Sequence, residues 1–146
     1  MRDTKVSPLT VLIFIVGMNR CVHPKIQKNY KKAIFSLTDI IKSGESVSHV
    51  FYIIIRQFRL ILQIKDYIER QQKTAKEIAS IAKIHPFVVQ NIAKQVHNFS
   101  FKELQEAYKH LLKIDFDMKT GKIDVHSNNQ DMFIQQIETF IIQCCL

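Results

Sequence analysis

The sequence predicts an all-α fold, a compact bundle of about six helices around one long central helix at residues 46–71. Three observations predict it. The stretch from Ser46 to Gln71 holds no Gly or Pro and keeps an apolar face at helical spacing. The whole chain of 146 residues has only three Gly and three Pro, which leaves few hairpin turns available. The flanking segments repeat the 3.6-residue period and are punctuated by residues that start and stop helices.

The central stretch is long enough for a helix of roughly 39 Å at 1.5 Å per residue, so it can cross a small domain. On a helical wheel Val47, Phe51, Ile54, Phe58, Ile61 and Ile68 fall on one broad face. Tyr52, Arg56, Arg59, Gln63, Asp66 and Arg70 form a polar stripe almost opposite. Between Val50 and Ile55 the helix is apolar nearly all round, as expected of a helix covered on more than one side.

Residues 1–22 stand apart as an unassigned segment, open to being the remnant of a truncation, ahead of a helical domain at 23–146. Leu9 to Met18 is apolar but too short to span a bilayer, which takes about 20 residues. Arg2 and Lys5 precede it as in a signal peptide, yet no small-residue cleavage site follows. Its β-branched content also permits a buried strand.

From Lys25 to Ser43, Ile26, Tyr30, Ala33, Ile34, Leu37, Ile40 and Ile41 keep helical spacing. Gly44 can end that helix and Ser46 can cap the next, so the two are expected to form an antiparallel hairpin. Thr74-x-x-Glu77 opens a short helix with Ile78, Ala79, Ile81 and Ala82 inward. Pro86 suits the first position of another, burying Phe87, Val88, Val89, Ile92 and Val96. Ser100-x-x-Glu103 opens a helix that stops at Gly121, with Phe99 able to staple onto Leu104. Ser127-x-x-Gln130 opens the last, with Phe133, Ile137, Phe140, Ile141 and Cys144 on one side.

Charge is uneven. Residues 1–99 carry sixteen Lys/Arg against six Asp/Glu and residues 100–146 five against seven, giving the net +8. A basic first part suits an acidic partner or nucleic acid, or simply solvated helix faces. Cys21, Cys144 and Cys145 have no Cys-x-x-Cys spacing, which speaks against a disulfide framework or zinc site and suits a reducing cytoplasm. Thr120-Gly121-Lys122 lacks the first Gly and the following hydroxyl of a phosphate loop. The six histidines form no metal pair, so neither catalytic residues nor a cofactor or metal is expected. Lys73 to Gln95 has a helix-turn-helix form that would present Gln90, Asn91, Lys94 and Gln95 to a DNA groove, with one basic residue on that face.

Gly44-Glu45, Arg56-Gln57-Phe58-Arg59, Lys65, His85-Pro86-Phe87-Val88-Val89 and Asp115-x-x-x-Lys119-Thr120-Gly121 occur in that order. Together they resemble the C-terminal helical domain of the delta subunit of bacterial DNA polymerase III, over about residues 25–143. The resemblance implies a collar domain, a non-catalytic assembly module through which clamp-loader subunits join into a ring-like pentamer in the cytoplasm. The family's ATPase-like domains, which carry its clamp-binding element, lie outside this chain. The implied partners are other clamp-loader subunits through helix packing, with primed DNA as a further contact and no membrane. A helix-turn-helix regulator that binds DNA is the alternative.

Arg56, Arg59 and Lys94 are the candidate subunit or DNA contacts. Gln57, about 100° from Arg56, is expected to hydrogen-bond a neighbouring helix. Pro86 and Gly121 are expected to be structural. Lys65 lies in the middle of the central apolar face, and Asp115 sits among Leu104, Tyr108, Leu111 and Leu112 near a helix C-terminus whose dipole disfavours it. Two opposite anomalies on faces that both seek the core predict an inter-helix Lys65–Asp115 ion pair.

Overall fold

A computed structural model of the chain describes residues 27–97, 99–125 and 130–145. The expectations for residues 1–22 and for the Ser127 cap lie outside the described residues. Among the described residues six helices follow in order: α1 (Gln27–Lys42), α2 (Val47–Glu69), α3 (Ala75–Ala82), α4 (Pro86–Val96), α5 (Phe101–Lys119) and α6 (Asp131–Cys145). No strand occurs among the described residues, and the fold is all-α.

Helix α2 sits at the centre. It buries Val47, Val50, Phe51, Ile54, Phe58, Ile61 and Ile64, and with them Gln57 and Lys65. Among the described residues α2 is the one helix long and apolar enough to cross a bilayer, but Val47, Val50, Phe51, Ile54, Phe58, Ile61 and Ile64 are buried against the rest of the fold. Helix α5 lies antiparallel along α2: Arg70, at the end of α2, stacks 4.5 Å over Phe101 at the start of α5, while Tyr52 lies near Lys119 at the far end. Helix α6 covers a second side through edge-to-face ring pairs, Phe51 with Phe133 and Phe58 with Phe140, each at 5.3 Å. The α3–α4 hairpin covers a third.

The expected hairpin of α1 with α2 is not the main contact of α1, which lies chiefly against α6. The phenylalanines of α6 already occupy the apolar face of α2. The narrow buried stripe of Ala33, Leu37 and Ile40 is therefore left to close the outer side of the same core. Gly44, at φ +96, makes the turn, and Ser46 has extended N-cap backbone but no side-chain cap bond. Two further inward expectations fail. Ile81 is 50% exposed and Phe87 56%. Phe87 precedes the buried Val96 by nine residues, about half a helical turn out of phase, so the periodicity itself turns it outward.

Both capping boxes form. Thr74 N–H donates to Glu77 Oε2 at 2.7 Å, and Ser100 N–H to Glu103 Oε2 at 2.7 Å, while each glutamate N–H donates back to the hydroxyl. At the far end of α5, Gly121 takes φ +76; its N–H donates to Met118 O at 3.2 Å and Lys122 N–H to Asp117 O at 2.9 Å. That is the Schellman arrangement, and it needs a residue at ease in the left-handed region.

The Lys65–Asp115 pair does not form. Lys65 Nζ donates to Glu69 Oε1 one turn along its own helix and to Val96 O at 3.3 Å, and lies 5.2 Å from the Phe101 ring. Asp115 pairs with Lys119 at 2.7 Å, also within one helix. Helices α2 and α5 are neighbours, so the faces do meet, but their antiparallel register sets Lys65 beside Glu103 and Asp115 near the Tyr52 end. The two charges lie roughly 15 Å apart along the axis.

The buried lysine sets an order of variant stabilities. Glu69→Ala leaves the Lys65 ammonium buried with one carbonyl partner and is expected to cost about 1.5–3 kcal/mol. Lys65→Met replaces the ammonium by an apolar side chain of similar length, freeing a Glu69 that water reaches, and should cost less than about 1.5 kcal/mol. Urea unfolding of both variants measures the order, and a smaller cost for Glu69→Ala contradicts it. A pH series probes the boxes. Thr74 and Ser100 hold the Glu77 and Glu103 carboxyls below the usual carboxylate range, first through the backbone N–H and then through the hydroxyl. Since the folded values are depressed, this stabilisation is complete above the unfolded carboxylate range and is lost as pH falls through the folded values. The gap in urea midpoint between the wild type and Glu77→Ala with Glu103→Ala should therefore narrow below about pH 4. A gap that stays constant with pH removes the carboxylates from this role.

Candidate subunit-contact surface

Helix periodicity places Tyr52, Arg56, Arg59 and Gln63 along the side of α2 away from its buried face, and all four are exposed. Among the described residues neither Arg56 nor Arg59 makes an ion pair, in contrast to Arg70, which lies 3.4 Å from Asp66. Two unpaired guanidinium groups on one face keep all their donors available.

The adjoining α5 contributes apolar area to the same side. Leu112 is 44% exposed and Phe116 59%, within about 60° of Lys119 round α5, and Tyr52 is 44% exposed. Lys122 Nζ lies 5.7 Å from the Phe116 ring and bonds Asp117 at 3.2 Å. Asp115 raises the Lys119 ammonium above its ordinary pKa, first by the hydrogen bond and then by its charge, and Tyr52 adds a smaller push in the same direction. The outer side of the α2–α5 pair thus runs from the Arg70–Phe101 stack to the Tyr52–Lys119 end. Aromatic and arginine side chains with nearby aliphatic area are what protein interfaces enrich. Sequence reasoning missed Leu112 and Phe116 as surface residues. The signal was present: both lie more than 90° round α5 from the centre of Leu104, Leu111 and Ile114.

Lys94 sits elsewhere, exposed on the outward face of α4 with Gln90, while Asn91 is half-buried and the Gln95 side chain lies outside the described residues. Pro86 opens α4, where its missing N–H costs nothing, and the His85 Nδ1 accepts the Phe87 N–H at 3.2 Å. Gln57 is 94% buried by its 6% exposure, and its Oε1 has no hydrogen-bond partner, contrary to the expected bond with a neighbouring helix. Asp115 Oδ1 is likewise buried without a partner, its Oδ2 serving Lys119. Among the described residues no three His, Cys, Asp or Glu side chains converge as a metal site would require.

Comparison with known proteins places this arrangement. The family model described as "DNA polymerase III delta subunit, C-terminal domain" matches residues 22–137. The chain belongs to that family. The DNA polymerase III subunit delta of Bacillus subtilis (strain 168) is 42% identical over 86 residues, 59% of this chain and 24% of that protein. The solved structure of the Bacillus subtilis DNA clamp loader delta protein (YqeN) superposes with a TM-score of 0.67 at 27% identity, covering 88% of this chain and 35% of that one. The chain thus spans about a quarter to a third of the length of these relatives. The α3–α4 pair falls inside the matched region and is part of the delta C-terminal fold, which does not favour the reading of a free-standing helix-turn-helix regulator.

The orphaned Gln57 oxygen gives a test of its own. Gln57→Met keeps the length and removes a buried acceptor without a donor, so it should leave stability unchanged or raise it by about 1 kcal/mol. A loss above about 1 kcal/mol in urea unfolding would show that the amide is satisfied in solution.

Proposed function

We propose that this delta C-terminal domain is a non-catalytic, cytoplasmic assembly module that joins other clamp-loader subunits by helix packing, and that the outer side of the α2–α5 pair is its contact surface. The observation that carries the reading is the unpaired Arg56 and Arg59 beside exposed Tyr52, Leu112 and Phe116 on a helical domain of this family. Unpaired arginines have no internal ion pair to give up when they meet a partner carboxylate or carbonyl, and the aromatic and aliphatic surface supplies area to bury. The chain's part is positional. Its buried central helix fixes where the contact residues stand, and the left-handed stop at Gly121 fixes where α5 ends.

The arginines also suit a phosphate backbone, and primed DNA is the second ligand of the same surface in this reading. One pair of variants separates the two. Arg56→Ala with Arg59→Ala should weaken pull-down by the other clamp-loader subunits about tenfold or more, while helicity stays unchanged because both residues are exposed. If the arginines serve DNA instead, subunit binding persists and the affinity for a primed duplex drops, together with its dependence on salt. Intact assembly and intact DNA affinity in the double variant would sink the surface altogether.

A further inference from the structure

We propose that the outer side of the α2–α5 pair takes an acidic amphipathic helix of a partner subunit, two carboxylates one turn apart receiving the guanidinium groups of Arg56 and Arg59 and an apolar row covering Leu112 and Phe116. The inference rests on the subunit-contact reading and narrows it to one chemistry of partner.

The charge balance of the two helices selects a carboxylate. Helices α2 and α5 together hold seven Lys or Arg against six Asp or Glu. All six carboxylates are already engaged inside the chain: Lys65, Arg70, Lys109, Lys119 and Lys122 hold five of them, and the Ser100 cap holds Glu103. Among the described residues Arg56, Arg59, Lys102 and Lys113 are the cations of the pair that make no ion pair, and the two arginines stand on the exposed stripe of α2. A guanidinium fork meets a carboxylate with two parallel N–H···O bonds, which an ammonium cannot make.

Register brings apolar area to the same level. With Arg70 over Phe101 at one end and Tyr52 near Lys119 at the other, the antiparallel pair sets Arg59 level with Leu112, and Arg56 within about one residue of Phe116. On each helix the contact residues recur after three or four positions, roughly 4.5 to 6 Å along the axis, which brackets the 5.4 Å turn of a partner helix and falls short of the roughly 6.8 Å by which a strand repeats a face. A phosphate backbone fits less well. Seven cations against six carboxylates give no broad positive field, and the carboxylates themselves oppose a polyanion. The exposed Leu112 and Phe116 gain by burial against aliphatic side chains and not against phosphate.

Capture of the other clamp-loader subunits by the full chain tests this with two double variants. Arg56→Ala with Arg59→Ala should lower capture about tenfold or more, as subunit contact already requires. Arg56→Lys with Arg59→Lys keeps both charges and removes the forks, and should lower capture about fivefold or more. Helicity should stay unchanged in both, since the two positions are exposed. At concentrations that restore capture, zero-length carbodiimide coupling, which joins an ammonium to a carboxylate in contact with it, should link positions 56 and 59 of the lysine variant to Asp or Glu residues one turn apart in a single helix of the captured subunit. Phe116→Glu places a carboxylate in the apolar row and should also weaken capture about tenfold. Capture that falls in the alanine variant and is kept in full by the lysine variant overturns the acidic-helix inference while subunit contact stands. So do crosslinks that reach no two carboxylates one helical turn apart. A wild type that captures no subunit, or an alanine variant that captures as well as the wild type, removes subunit contact and this inference with it. Duplex DNA affinity lost in the alanine variant, with capture intact, would assign the arginines to phosphate and overturn the inference.

Discussion

Burial of α2 on nearly all sides is the constraint on which the other helices depend. A helix whose middle is apolar almost all round cannot rest on a single neighbour, because the uncovered apolar area would stay in water at about 25 cal/mol per Å². The chain meets this with three different coverings. Two edge-to-face phenylalanine pairs bring α6 in on one side, the antiparallel α5 lies along another, and the short α3–α4 hairpin closes the third. Lys65 stands where the last two meet. Its ammonium joins Glu69 on α2 to the carbonyl of Val96 at the end of α4, beside the ring of Phe101 that opens α5. A lysine at a helix C-terminus also complements the dipole there, so one buried charge fixes the meeting point of three helices.

The helices, their caps and the central position of α2 were legible because each is signalled locally. Thr74 with Glu77 and Ser100 with Glu103 are four-residue patterns, and the bonds that satisfy them are made within those four residues. What escaped were relations set by distance along two axes at once. Lys65 and Asp115 were rightly read as charges on faces that meet, but wheels carry angle and no register, and the antiparallel offset of α2 and α5 separated them. Each then found a partner one turn away in its own helix. The docking of α1 failed for a related reason: local spacing shows which stripe is apolar, not which neighbour has already taken the matching face.

Errors on the surface had another origin. Phe87 and Ile81 were read as inward because they are large and apolar, although the phase of Phe87 opposes the buried residues of α4 and Ile81 lies about 110° round α3 from the centre of Ile78 and Ala79. Leu112 was read the same way. When size and phase disagree, phase decides whether a side chain is covered, since a short helix has no freedom to roll without exposing its own core stripe. An apolar residue left out by phase then marks hydrated apolar surface that gains when a partner covers it. In this chain such residues gather beside the unpaired arginines of α2 and at the tip of the α3–α4 hairpin.

Gln57 shows how the two kinds of constraint collide. It adjoins Arg56 in sequence, yet 100° of rotation carries it from the exposed stripe into the covered side of α2, where its Oε1 finds no donor. Because α2 must be covered on three sides, the boundary between stripe and core is narrow, and adjacent residues fall on opposite sides of it. A polar side chain at such a boundary contributes little to the bundle, as an unsatisfied amide oxygen costs about 1–3 kcal/mol against what the rest of the side chain gains by burial. Close covering of α2 thus leaves the two arginines as the polar groups of this run free to act outside the fold, and the same packing that buries Gln57 holds them at fixed positions on the surface.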